Sequence, residues 1–482
     1  MMFFTDVLAD SCAERNETLR RCRNMGNITL EEYAGIQADK VRKNSLTDPL
    51  RDPEDFMRLT TGYVRSKLGD EAADDISDAM KLRVAYTADH HGSLFCAQTL
   101  QGDLLYGEVL RQLGYKGRHI PMHAGGQVKL GSPTYARGII NYGHPGERKF
   151  LPVFPYKYND RLTSYTPAWD RDMIRRFRSR YVISENDSGI RTALETICSE
   201  VLENEYVLDS KDFSDQAVKA GAALSALMFS GADSPVLVYT EIEDIIKPLL
   251  ISEISEEGSL LRRMLTDPGL IRSMQDIRAS DGVPLSAVLM RTADERGRES
   301  FLELTADGFF RGSGWHGEEL LFPADPDILC SLLENGKVFP GLFTIALLIA
   351  FERGITFMGG VFQSLYLCEW QSCLVRLLRT AGMDEAADNF ASYDCSGYLN
   401  GPMFALFGRD GSASEAGPLE FCIERPDANR INRLLRETSL QDSHIIGIQQ
   451  MYIELFSAPE RTDNWYEISS GELFRRFRGN II

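Results

Sequence analysis

The chain has 482 residues, 52 Lys and Arg against 70 Asp and Glu, and 43% apolar residues. That length and apolar content support a sizeable core without disulfides or structural metals, and they exclude a disordered or collagen-like chain. A formal charge of −18 argues against non-specific binding to nucleic acid or an anionic membrane, both of which need a net cationic face.

The nine cysteines are odd in number and scattered without a C-x-x-C pair; Cys368 and Cys373 are the nearest two. This predicts reduced thiols, not a disulfide framework or a zinc site. The opening residues MMFFTDVLAD lack the features of a secretory leader, so the protein reads as soluble and cytoplasmic. The most apolar run, residues 342–351, is well short of the ~20 residues of a membrane span and predicts a buried helix.

In chain order, residues 1–80 read as a peripheral helical segment, in which Asn27 or Thr29 caps a helix through Glu31, Glu32 and Tyr33. Its acidic end, residues 69–79, reads as a connection. Residues 81–330 read as an α/β core and residues 331–482 as a helix-rich region that completes it. A short strand with Leu82, Val84 and Tyr86 in alternation runs into Thr87-Ala88-Asp89-His90-His91-Gly92. Ser93 then offers an N-cap, and Leu94, Ala97, Leu100, Leu104, Leu105, Val109 and Leu113 recur at helical spacing up to a stop at Gly114. Residues 119–154 are extended and broken by Gly and Pro, predicting short strands and loops.

Asp170 introduces a helix bearing Arg171, Arg175, Arg176, Arg178 and Arg180. Residues 214–229 predict an alanine-rich helix, and residues 240–250 a second one interrupted at Pro248. Residues 300–323 predict a hairpin turning at Asp307-Gly308, and Asp325-Pro326 a cap with proline at the first helical position. Residues 361–381 predict an apolar helix ended by Gly382, while residues 403–407 and 419–423 read as short strands. Helices and strands interleave without a regular βαβ rhythm. The fold class is therefore α/β or α+β, helix-rich, with a mixed sheet of short strands.

Charge is distributed unevenly. Residues 81–180 carry a net +9, against −5 for residues 1–80 and −22 for residues 181–482, and five of the seven histidines lie in the basic segment. Asp89-His90-His91-Gly92 stands at a strand-to-helix junction, where open α/β sheets bind ligands and helix N-termini attract anions. A carboxylate beside imidazoles orients a ring and suits acid–base catalysis near neutral pH. The expected roles follow: one of His90 and His91 moves a proton and Asp89 orients it. Arg118, Lys129 and Arg137 hold the substrate's negative group with His119 and His123 nearby. On the helix after Gly359-Gly360, Gln363, Tyr366 and Trp370 share a face, and Gln363 and Tyr366 complete the pocket. The expected function is that of an enzyme acting on an anionic small molecule (a phosphorylated compound, nucleotide or carboxylate) by hydrolysis or group transfer. The plain counterpart is a helix cap at Asp89 with ordinary loop histidines.

Other readings use the same residues. Asp and His are ligands for zinc, manganese or iron, which would make the protein a metal-dependent hydrolase. Against this, neighbours in extended chain face opposite ways, and His119 and His123 would stand ~13 Å apart at ~3.3 Å per residue. Asp89-His90-His91 resembles the signature triplet of the DHH phosphoesterases, but the acidic residues before it are helical, where that family needs aspartate motifs on strands. In a different class, the basic segment docks an acidic partner or a second copy of the chain without catalysis. Residues 150–158 (FLPVFPYKY) interleave aromatics with lysine, as single-stranded nucleic acid would require, but the acidic total opposes it. Two weaker features remain: Trp315-His316-Gly317-Glu318-Glu319 reads as a hairpin loop, and Glu420 as a lone carboxylate in a short strand. No phosphate loop, nucleophile elbow, dinucleotide fingerprint or iron–sulfur cysteine cluster occurs, so no cofactor is specified.

Overall fold

The computed structural model describes residues 3–87, 96–131, 136–144 and 147–482. A parallel five-stranded sheet lies at its centre. Every residue of β1 (Val84–Tyr86) and β2 (His119–Ala124) is buried, as strands covered on both faces must be. With β3 (Val236–Glu241), β4 (Thr356–Gly360) and β5 (Gly397–Asn400) the order is β5-β4-β1-β2-β3, and all neighbours are parallel. The chain builds outward from β1 through β2 to β3, then returns to lay β4 and β5 on the other side of β1. That reversal makes a topological switch point between β1 and β4, where open α/β sheets form a crevice at their carboxyl ends.

Seven helices position this sheet: α1 (Leu30–Asn44), α2 (Glu54–Leu68), α3 (Asp70–Met80), α4 (Ala97–Gln112), α5 (Phe213–Met228), α6 (Ile242–Ser255) and α7 (Gln363–Thr380). Side chains of the strands alternate between two apolar clusters. Val84, Tyr86, Leu237 and Tyr239 share one with Tyr33 of α1, Tyr106 of α4 and Ala220 of α5. Ala85, Val238 and Phe357 share the other with Phe56 of α2, Ile76 of α3, Ile246 of α6 and Leu367 of α7. Each large side chain buried this way contributes ~1.5–3 kcal/mol against the entropy of ordering the chain. Tyr86 stacks on Tyr106 at 5.3 Å, and a Cβ on Gly221 would lie 2.2 Å from the Tyr239 ring, so glycine sets how closely α5 approaches the sheet.

A second, antiparallel sheet pairs Phe339–Pro340, Met290–Ala293, Glu299–Leu304, Phe309–Ser313 and Glu319–Pro323 in that order. Its turn at Gly308 takes φ +81°, which glycine adopts without strain. The protein is thus a helix-rich α/β fold with mixed sheets, 56% helix and 15% strand.

Several local expectations change. Residues 69–79 are no connection: Ala72, Ala73, Ile76, Ala79 and Met80 line the buried face of α3, a stripe masked by the acidic residues between them. Residues 419–423 lie in the helix Pro418–Glu424, started by proline in its first turn. The region from 240 divides into the end of β3 and α6, which runs through Pro248 without stopping. β1, α4 and β2 form a parallel crossover despite the absence of a regular rhythm in the sequence. Residues 342–351 form the helix Leu342–Ala346 and the wider turn Leu347–Phe351. Among the described residues no helix is long and apolar enough to cross a membrane.

Candidate active-site crevice at the carboxyl end of the sheet

The switch point is spanned by a short hydrogen-bonded bridge. Thr87 follows β1 directly and donates its N–H to the Met358 carbonyl of β4 at 2.9 Å. Gln363, the first residue of α7, donates from Nε2 to Thr87 Oγ1 at 2.6 Å. Its side chain folds back over Gly359, where a Cβ would lie 2.2 Å from Gln363 Cδ. Gly359 is therefore what lets Gln363 reach across to β1.

Beside this bridge is a small pocket. His123 and Gly125 from the end of β2, Ile242 at the start of α6, and Tyr366 and Trp370 on α7 contribute to its walls. Its volume of about 30 Å³ holds one or two waters, or one small group of a larger ligand. The Tyr366 and Trp370 rings lie 4.5 Å apart and form its aromatic side.

His123 is the unusual member. It is fully buried at 0% exposure, 5.2 Å from the Phe56 ring. Neither ring nitrogen finds a hydrogen-bond partner among the described residues. Burial pushes its pKa down to about 3, so the imidazole is neutral across the physiological range. Leaving such a group unpaired costs roughly 1–3 kcal/mol, and most buried polar groups in folded proteins avoid that cost.

Two carboxyl groups sit at the carboxyl end of β3. Gly126 N–H donates to both oxygens of Glu243, at 3.1 and 3.0 Å. Burial raises Glu241 to about 8, opposed by its hydrogen bond with Glu243, and burial together with Glu241 pushes Glu243 well above the usual carboxylate range. As neighbouring carboxyl groups in low dielectric, the two resist carrying two charges at once. Glu241 pairs with Ala124 in register, so it projects from the face opposite to His123.

The residues expected from sequence are distributed as follows. His123, Gln363 and Tyr366 come together in the crevice. Asp89, His90 and His91 lie outside the described residues, in the segment joining Thr87 to Cys96. His119 and Arg118 lie at the other end of the sheet. His119 Nδ1 is 2.6 Å from Asp75 Oδ2, which also accepts the N–H groups of Arg118 and His119 at 3.1 Å. Arg118 lines a separate cleft of about 550 Å³ with Arg111, Lys116 and Asp233. Lys129 stands 3.6 Å from Glu299. Arg137 donates to the Phe154 carbonyl at 2.9 Å and lies over the Tyr156 ring at 5.3 Å. Among the described residues, no Lys or Arg lines the crevice, and no three His, Cys, Asp or Glu side chains converge as a metal site requires.

The arginine-rich helix divides its charges. Arg178 forks onto Glu203 at 3.0 and 2.9 Å, and Arg171 pairs with Glu205. Arg176 and Arg180 instead line a groove of about 310 Å³ with Arg137, Tyr156 and Tyr181. Glu420 is structural: it accepts the N–H groups of Tyr142, Gly143 and Gly417 at 2.8, 3.0 and 3.0 Å, while burial raises its pKa to about 7. Residues 314–318 turn between two strands of the antiparallel sheet, closed by Gly314 N–H on the Glu318 carbonyl at 2.8 Å.

Thr87 and the Glu241–Glu243 pair escaped the sequence reading. The run Val236–Glu241 followed by Ile242-Glu243 held the signal for the pair, since acidic residues after an apolar strand sit where the next helix begins. A comparison with protein-family models and one with curated proteins each found no match for the chain.

Proposed function

We propose that the protein is an enzyme that binds an anionic small molecule in the carboxyl-end crevice and that His123 moves a proton on it, in a hydrolysis or group transfer. The observation that carries this reading is His123 itself: a fully buried imidazole, unpartnered among the described residues, on the wall of a pocket at the switch point. A neutral imidazole offers one donor and one acceptor. Buried away from charge, it accepts a proton only when a negative group comes close enough to stabilise the imidazolium. That coupling favours an anionic substrate. The first turn of α7, at Gln363, supplies the positive end of a helix dipole for the anion. Tyr366 and Trp370 suit an apolar or aromatic portion of the same ligand. Asp89, His90 and His91 remain candidates for the second proton-transfer partner. The nine cysteines, none in a disulfide, suit a reducing cytoplasm.

A thermal-shift screen with phosphorylated metabolites, nucleotides and carboxylates tests the reading. The expected hit raises the melting temperature by roughly 2 °C or more at saturating ligand, and His123→Phe and Gln363→Ala each abolish that rise while remaining folded. A ligand whose effect survives both substitutions binds elsewhere and removes the crevice as the site.

A second reading rests on the groove of Arg137, Arg176 and Arg180, in which Arg180 also lies over Tyr181 at 5.3 Å. Here the protein docks an acidic partner without turning anything over. Charge reversal at Arg176 and Arg180 then abolishes function while His123→Phe leaves it intact; the enzyme reading expects the opposite.

A further inference from the structure

Cys368 on α7 and Cys395, two residues before β5, are 27 positions apart in sequence, yet their sulfurs stand 2.8 Å apart. That is closer than non-bonded carbons approach at best, ~3.5 Å, and about 0.8 Å longer than a disulfide bond. Cys395 and the backbone around it are held in place. Gln371 Oε1 accepts from Cys395 at 3.1 Å, and Gln371 Nε2 donates to the carbonyls of Phe390 and Tyr393 at 2.7 and 2.6 Å. On the far side, Lys40 Nζ donates to Ser396 O and Oγ at 2.9 and 2.8 Å, and Asn44 accepts the Asp394 N–H at 2.7 Å.

We propose that Cys368 and Cys395 form a reversible oxidation site, in which a hydroperoxide converts the two thiols into an intramolecular disulfide. The chemistry is asymmetric. The single Cys395 thiol hydrogen lies between Cys368 and Gln371 Oε1, and its donation to Cys368 lowers the Cys368 pKa; Arg21 of the helix Glu17–Asn24 and Lys40 of α1 add to this, while burial and Asp394 oppose it. Cys368 is also half-buried, whereas Cys395 is buried. A stabilised and partly accessible thiolate is the nucleophile in such pairs. Cys368 Sγ attacks the terminal peroxide oxygen; the S–O bond forms as the O–O bond breaks, and the leaving alkoxide or hydroxide takes up a proton. The Cys395 sulfur then attacks the sulfenic sulfur, the S–S bond forms as the S–O bond breaks, and the departing oxygen leaves as water with the Cys395 proton. The two sulfurs lose two electrons together and the peroxide gains them.

The other thiols with a resolved shift point the opposite way. Burial pushes Cys12, Cys198 and Cys422 up to about 12 and Cys22 to about 11, and raises Cys96 and Cys330 as well. The disulfide would tie α7, whose first turn lines the crevice, to the segment leading into β5.

The test treats the folded chain with stoichiometric hydrogen peroxide, blocks remaining thiols with N-ethylmaleimide, and maps peptides by mass spectrometry without reduction. The expected product links Cys368 to Cys395, loses two hydrogens, and reverts with dithiothreitol. In Cys395→Ser, oxidation stops at a Cys368 sulfenic acid that dimedone captures; in Cys368→Ser, Cys395 stays unmodified. Preferential oxidation of Cys330 or Cys422, or a mainly intermolecular disulfide, overturns the proposal. The wild-type peptide map decides the matter even if a serine variant fails to fold.

Discussion

His119 and His123 stand four residues apart on one face of β2, and the two ends of the sheet treat them differently. At the amino end, His119 meets Asp75, whose carboxylate also accepts two backbone N–H groups. At the carboxyl end, His123 is surrounded by Phe56, Ile242 and the helical residues 342–346 and has no hydrogen bond among the described residues. The amino end has the larger cleft and more charge, but its histidine is already paired with Asp75. Neither cavity size nor charge density carries the proposed reading; it rests on a buried imidazole with unspent hydrogen-bonding capacity on a pocket wall at the carboxyl end of the sheet.

The largest effect should come from breaking the amino-end pairing. Burial works against the Asp75 carboxylate, but hydrogen bonds from the His119 ring and backbone hold its pKa below the usual range. Asp75→Ala leaves those donors without an acceptor and should destabilise the fold by roughly 2–3 kcal/mol, measured by urea unfolding. The same variant should bind crevice ligands as the wild type does; lost binding would mean the two ends are coupled.

Acid should act next, at the other end. The folded-state pKa of His123, about 3, lies below its unfolded value of ~6.5. Its contribution is thus fully present above pH 6.5 and is lost as pH falls toward 3, because the unfolded chain takes up a proton that the folded chain does not. His444, lowered to about 4 by burial, has the same sign. Glu241 and Glu352, each raised to about 8 by burial, lose their contribution as pH rises from the unfolded carboxylate value through 8. The difference between wild type and His123→Phe isolates one group. It should be flat above pH 7 and shift against the wild type by up to ~1.4 kcal/mol per pH unit below 6.5. A difference that is flat to pH 5 would place solvent or a charge beside His123.

What the sequence disclosed follows from the range of each interaction. The cap at Thr29, closed by Glu32, the turn at Asp307-Gly308, the Asp325-Pro326 helix start and the stop at Gly382, with φ +68°, are local chemistry and could be read directly. Gln363 and Tyr366 were legible because three-residue spacing places both on one side of a helix. β1 was legible from the alternation of Val84 and Tyr86. The order and pairing of the sheet were not: its strands are three to six residues long and buried, and Val84 finds its partner at the distant Thr356. The basic segment misled in a specific way: several of its cations pair with distant acids, Lys129 with Glu299 and Arg178 with Glu203. In the sequence His123 belongs to a cationic, histidine-rich segment, whereas in the structure burial alone sets its titration. Cys368 and Cys395, joined only through tertiary packing, gave no sequence signal.

A smaller effect tests the bridge that frames the crevice. In Gly359→Ala the new methyl group occupies the space of the Gln363 amide, which is flexible and swings away. The expected cost is about 1 kcal/mol for the hydrogen bond to Thr87. The effect on function should be larger, because Gln363 no longer closes the pocket. Full ligand response in a folded Gly359→Ala protein would show that the bridge serves packing alone.

The smallest effect is also the most discriminating. Replacing a partnered buried histidine with an apolar ring destabilises, whereas replacing an unpartnered one removes a desolvation cost and keeps the packing. His123→Phe should therefore be neutral or stabilising by up to ~1 kcal/mol at pH 7.5, even though a buried residue has been changed. Phenylalanine is only slightly larger than histidine and continues the contact with Phe56, so overpacking in a pocket with about 30 Å³ to spare is modest. A protein that gains stability and loses its ligand has exchanged function for stability at one residue, as expected of a site that retains a polar group for use. Destabilisation by 2 kcal/mol or more would instead show that His123 is hydrogen-bonded in solution, and would return it to the same class as His119.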